Sequence, residues 1–295
     1  MKLLTFRSDS GLKLGVKTER GVLDVERSIA PDDGIPCTIG DVLRGGDAGL
    51  RRLEAHVAAA LERGREEWFL QEDELQWGPC VPHPGKIVCV GLNYRKHAEE
   101  SNMPIPQSPV LFSKFNNTPA GHRQVVYLPA HSEQIDYEAE LAIVVGRRAK
   151  NVLKREALGY VFGYCAANDL SARDLQFRTS QWLLGKNCDG FCPLGPYLVT
   201  ADEVGNPNAL RIRSYVNGEV RQDSNTADMI FPCDELVSYI SHYMTLEPGD
   251  IILTGTPEGV IMGYPEERRV WLKSGDTVTI EIEKLGSLSN TLAIE

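Results

Sequence analysis

The stretch Asp136-Tyr137-Glu138-Ala139-Glu140-Leu141-Ala142-Ile143-Val144-Val145 constrains this chain more than any other. It reads as a β-strand that opens on two carboxylates and then turns apolar. Alternate side chains of a strand share a face, so Glu138 and Glu140 should project together at the mouth of a buried strand. Two acids so placed resist ionising unless positive charge lies between them. A divalent cation is the simplest such partner. Asp169, at the end of Gly163-Tyr164-Cys165-Ala166-Ala167-Asn168-Asp169, supplies a third acid. Carboxylate oxygens suit Mg²⁺, Mn²⁺ or Ca²⁺ better than zinc. The bland alternative is a solvated Glu138/Glu140 edge with Asp169 capping a helix near Ser171; on spacing alone the two readings stand level.

With 295 residues, the chain is long enough for one large domain, or a main domain and a smaller one. A formal charge of −10 without a basic block argues against nucleic acid and anionic membrane surfaces as partners. No apolar run approaches a membrane span. The opening Met1-Lys2-Leu3-Leu4-Thr5-Phe6-Arg7 reaches charge early and reads as a strand, so a cytoplasmic protein is expected. Seven cysteines, an odd number, are taken as reduced thiols, and the Cys188/Cys192 pair lacks the second pair a zinc ribbon needs.

Short alternating segments punctuated by Gly11 and Gly21 predict a small antiparallel sheet near the N-terminus. Thr38 followed by Asp41 marks a helix start, and Leu50, Leu53, Val57, Ala60 and Leu61 continue at helical spacing. A small α+β unit over 1–75 is therefore expected, then a joint rich in proline. Beyond it, apolar strands recur at 86–91, 141–145, 160–166, 210–216, 251–253 and 277–282, with an Asn217-Gly218 hairpin turn. Helices are expected only over 94–102, 171–178 and 234–244. The weight of strands predicts a mixed-β core.

Three further groups carry chemistry. His97 and Glu100, three apart on a helix, are neighbours, and a carboxylate beside an imidazole makes a general base. Arg173 and Gln176 share a helix face, with Arg173 suited to grip a carboxylate, and Lys186 sits between small neighbours where it could neutralise an oxyanion. The turn Thr254-Gly255-Thr256-Pro257-Glu258-Gly259 at a strand end could bring backbone N–H groups to an anion. Each of these has an ordinary surface reading when taken alone; their joint occurrence makes a complete active-site set.

In order and spacing, these motifs resemble the fumarylacetoacetate hydrolase family over about residues 84–295, and 1–75 is similar to the small N-terminal domain of many bacterial members. The resemblance implies a mainly β, α+β mixed β-sandwich roll and a homodimer. It also implies Mg²⁺ or Mn²⁺ (with Ca²⁺ compatible) at Glu138, Glu140 and Asp169, and a small-molecule 2-oxo acid as substrate. Catalytic roles would fall to His97, Glu100 and Lys186, and substrate contacts to Arg173, Gln176, Thr256, Asn93 and Tyr94. The leading expectation is a Mg²⁺-dependent hydrolase of a C–C bond in a 2,4-dioxo acid, with water activated at His97. An oxaloacetate decarboxylase or a 2-hydroxyhepta-2,4-diene-1,7-dioate isomerase is the alternative, and a non-catalytic metal-binding protein a distant one. The family pattern often has glycine where this chain has Ile261, which bears on pocket shape.

Overall fold

The structure is a computed structural model that describes residues 1–30 and 33–294. Its centre is an 11-stranded mixed sheet running from Phe69–Leu70 at one edge to Val110–Lys114 at the other. The strand Ala139–Val145 lies inside it, paired antiparallel with Val161–Asn168 on one side and Ile251–Leu253 on the other. A second, five-stranded sheet contains Arg211–Val216, Glu219–Asn225, Thr277–Ile282, Gly286–Ile294 and Val126–Leu128. Asn217 and Gly218 take positive φ in the tight hairpin, as their residue types favour.

Strand alternation divides the interior in two. Ala139, Leu141, Ile143 and Val145 face the larger core, with Ile212, Ile280 and Leu288 of the second sheet and Leu236 and Ile240 of the helix Cys233–Tyr243. Ala142 and Val144 face the other way, onto Leu3, Leu14, Ile39, Val42 and Leu53. Ile39, Val42 and Leu53 belong to the helix Ile39–Arg63, whose start is capped by Thr38 Oγ1 accepting from the Asp41 N–H at 3.0 Å. That helix kinks at Gly46, where the backbone leaves helical values (φ 52°, ψ −148°). The N-terminal strand Lys2–Ser8 pairs with Cys192–Thr200, so the sheet runs without a break from the first 75 residues into the rest.

Two expected elements differ. The strand expected over 136–145 is interrupted. Its first part, Ile135–Asp136, pairs with Ser171–Ala172 in a separate two-stranded ladder. The helix expected over 171–178 is a single turn, Arg173–Gln176, preceded by that ladder. Both differences have one cause. The strands 139–145 and 161–168 part after the Ala139–Asn168 register and rejoin at Asp136–Ser171.

Candidate active site

Side chains replace the ladder where the strands part. The Glu138 N–H donates to Asn168 Oδ1 and the Ala139 N–H to Gln222 Oε1, each at 3.0 Å. Backbone to backbone, the Asp169 N–H still donates to the Glu138 carbonyl across the gap at 3.0 Å. Backbone groups buried at a strand break must be satisfied somehow, and here amide side chains do it. The gap brings Glu138, Glu140 and Asp169 together, all buried, with ligand oxygens within 4.8 Å of one another. Asp169 does not cap the helix; Ala172 holds that position.

Cations stitch this floor. Arg173 donates through Nε to Asp136 Oδ2 (2.9 Å), through Nη2 to Glu138 Oε1 (2.7 Å) and through Nη1 to Gln176 Oε1 (2.9 Å). Lys186 Nζ bridges Glu138 Oε2 at 2.7 Å and Asp169 Oδ2 at 3.0 Å. Lys114, also buried, donates to the other Asp169 oxygen and to the Leu170 carbonyl. Burial alone would push the Glu138 carboxyl up, but Lys186 and Arg173 outweigh it and hold the group down at about 2. Glu140 goes the opposite way. Burial, then the charges of Asp169 and Glu138, raise its carboxyl well above the usual range, relieved in part by Lys186 and the Gly255 N–H. That N–H reaches Glu140 Oε2 at 2.8 Å, so the glycine turn serves a protein carboxylate. Gly255 is needed there: its φ is +96°, and a Cβ would lie 2.8 Å from Asn93.

Above the floor is a cavity of about 190 Å³, lined by Glu138, Glu140, Arg173, Gln176, Lys186, Thr256 and His97, among others. Gln176 gives its oxygen to Arg173 and keeps its Nε2 donors for the cavity. Thr256 Oγ1 accepts from Gln222 Nε2 at 2.9 Å, which leaves its own proton to donate. His97 is buried, with Nδ1 3.4 Å from Glu100 Oε2, so Nε2 is the ring nitrogen left for a ligand. Glu100 is anchored by the Gly259 N–H at 3.1–3.2 Å. A Cβ at Gly263 would lie 2.4 Å from the Glu100 carboxylate, so the turn can approach only because position 263 lacks one.

The structure therefore gathers seven of the sequence-nominated residues around one cavity, with Glu100 and Asp169 just behind its lining as hydrogen-bond partners. Asn93 and Tyr94 are placed elsewhere. Asn93 ties three segments together, donating to the Phe231 and Thr254 carbonyls and accepting from the Phe231 N–H. Tyr94 lies in the larger core with its hydroxyl unpartnered. Ile261 is buried away from the cavity, whose wall at that turn is Met262. Sequence reasoning missed Lys114, Gln222 and the role of Asp136. The signal for Lys114 was a lysine closing the strand-like segment that begins with the apolar run Val110-Leu111-Phe112; Gln222 gave none.

An all-oxygen donor set, buried, converging, and including one carboxylate with no cationic hydrogen-bond partner, fits a hard divalent cation. A mixed-β fold carrying such a set beside an imidazole–carboxylate pair defines a metal-dependent enzyme for small anionic substrates. The comparisons specify which kind. The sequence profile described as fumarylacetoacetate (FAA) hydrolase, C-terminal, matches residues 86–293, and this chain belongs to the fumarylacetoacetate hydrolase family. The human mitochondrial protein named oxaloacetate tautomerase FAHD2A is 42% identical, over 98% of this chain and 91% of its own length. Among solved structures, fumarylacetoacetate hydrolase of Exiguobacterium antarcticum superposes with TM-score 0.81 and 31% identity, covering all of both chains. Maleylpyruvate hydrolase of Sphingobium sp. SYK-6, in complex with manganese(II) and pyruvate, superposes at 0.79 with 29% identity over 100% of this chain and 99% of its own. Among the described residues no helix is long and apolar enough to cross a membrane.

Proposed function

We propose that this enzyme moves a proton at the carbon beside the carbonyl of a small 2-oxo acid, interconverting keto and enol forms, with oxaloacetate as substrate. The observation that carries the reading is a single imidazole, His97, in the wall of a cavity whose floor holds converging acids and fixed cations. The name of the human relative supports the choice of substrate. A divalent cation, Mg²⁺ or the Mn²⁺ of the Sphingobium neighbour, held by Glu138, Glu140 and Asp169, would supply Lewis-acid polarisation of the 2-oxo group. Arg173, Gln176 and Thr256 orient the substrate carboxylate. His97 Nε2 takes the C3 proton as that C–H bond breaks, and Glu100 fixes the tautomer that can do so. Lys186 neutralises the charge that develops on the carbonyl oxygen, which takes its enol proton from water while His97 gives the C3 proton up to solvent.

The test follows the enol absorbance of oxaloacetate with metal-stripped protein, with and without added Mg²⁺. Metal-dependent loss of the enol signal, without pyruvate or carbon dioxide release, is expected, and His97→Ala should abolish it. An unchanged rate in Glu138→Ala would sink the proposal. Carbon dioxide release would identify a decarboxylase instead.

The His97–Glu100 pair favours a second reading, hydrolysis of the C3–C4 bond of an acylpyruvate, because the same base can activate water. Stoichiometric pyruvate release from 2,4-dioxo acids selects it. We also read the assembly as a homodimer and the compartment as the cytoplasm, although the human relative is named mitochondrial. Light scattering and cell fractionation test these two points.

A further inference from the structure

The cavity has two unlike ends. Its cationic side chains, Arg173 and Lys186, both sit on the floor, and both are engaged by protein carboxylates. Away from the floor the wall is Leu92, Met103, Phe112, Phe177, Trp182 and Met262, and no lysine or arginine lies among the lining residues there. Of the remaining polar liners, Glu138 and Glu140 belong to the floor, and Ser101, Gln176 and Thr256 are uncharged. Phe112 marks the boundary: Lys186 Nζ lies 5.0 Å from its ring centroid, and the Trp182 ring packs edge-on against it at 5.2 Å.

This collar is built. A Cβ at Gly91 would lie 2.8 Å from the Trp182 ring, so the strand end comes up against the indole only because residue 91 is glycine. At the mouth, Phe177 and Met103 are 54% and 49% exposed. Large apolar side chains that line a cavity and face water at its mouth mark a surface that something apolar covers. The collar is continuous with the floor, so its occupant is the far end of whatever the floor holds.

We infer that the collar selects 2-oxo acids with an uncharged apolar tail beyond the fourth carbon, and rejects tails of the same length that end in a carboxylate. A terminal carboxylate would lose its water against apolar walls and meet no cation in return. Oxaloacetate is not excluded, because its second carboxylate is only two bonds from the 2-oxo carbon and stays near the floor. The inference rests on the reading of the floor as a 2-oxo acid site and adds the class of tail.

Calorimetric binding to the Mn²⁺-loaded full-length protein tests it, using pyruvate, 2-oxohexanoate and 2-oxoadipate. Pyruvate measures the floor alone, and the two six-carbon acids differ only at the tail end. We expect 2-oxohexanoate to bind about tenfold more tightly than pyruvate, from burial of its extra carbons, and 2-oxoadipate no more tightly than pyruvate. Phe177→Arg, a change at an exposed position, should shift the ratio of the two six-carbon constants toward the dicarboxylate. If pyruvate binds but 2-oxoadipate equals or exceeds 2-oxohexanoate, the collar inference fails and the floor reading survives. If pyruvate itself does not bind, both fail.

Discussion

One pair of strands behaves in two ways along its length. From Ala139 to Val145, paired with Val161–Asn168, backbone hydrogen bonds hold the register and every side chain of 139–145 but Glu140 is apolar. One step further, at Glu138 opposite Asp169, the ladder stops, and Asn168, Gln222 and the Arg173–Lys186–Lys114 cations carry the load. The regular half is stable because burying apolar surface needs no particular partner. The split half survives only because each buried polar group has a particular one. Carboxylates converge where the sheet gives up its own regularity.

Mutations can sharpen or break this contrast. The largest effect is expected at the floor: Lys186→Met should lower turnover by about 10²–10³-fold, the scale for removing a group that stabilises developing charge, read from initial rates at saturating metal. In the regular half, Leu141→Ala should cost about 2–5 kcal/mol of stability as a cavity opens in the core, while metal affinity by calorimetry stays close to wild type. Equal loss of metal binding in that variant would erase the distinction between the halves. Gln222→Leu should cost about 1–3 kcal/mol, because it strands the Ala139 N–H, and should also raise KM by freeing Thr256. Glu140→Gln is expected to act with opposite sign on the two properties. Metal-free protein should melt higher at neutral pH, since a buried carboxylate facing two others becomes neutral, and the stabilisation by added Mg²⁺ should vanish; a lower melting temperature would mean the acids do not repel.

The smallest effect lies away from both halves. His122 accepts from the Ser289 N–H at 3.0 Å and meets Trp77 edge-on, and burial first, then Arg123, lowers its imidazole from 6.5 to about 4. A lowered pKa means the unfolded chain binds the proton more readily, so this contribution is intact above about 6.5 and is lost as pH falls toward 4. His122→Asn should flatten the acid limb of melting temperature against pH in that window.

This contrast also explains what the sequence made legible. The parity of Glu138 and Glu140 and the apolar run behind them follow from a period of two, which any strand obeys. The strand break, the role of Asp136 and the partners Lys114 and Gln222 do not. Lys114 lies 55 residues before the aspartate it holds, and Gln222 83 residues after the strand it completes. Pairings across such separations leave no periodicity to read. Motif membership misled at Asn93 and Tyr94, whose neighbours in sequence line the cavity while their own side chains serve packing and backbone.

Asp136 links parts that chain order keeps apart. One oxygen accepts from the Tyr137 and Ile261 N–H groups, and the other from Arg173 and the Met262 N–H. The turn it grips also holds Glu100 through the Gly259 N–H. For anyone transplanting loops between related enzymes to redirect substrate choice, the exchangeable piece is therefore larger than the loop. The 259–263 turn, Asp136, Arg173 and Glu100 form one graft, and a turn moved without the other three would arrive with its anchors missing.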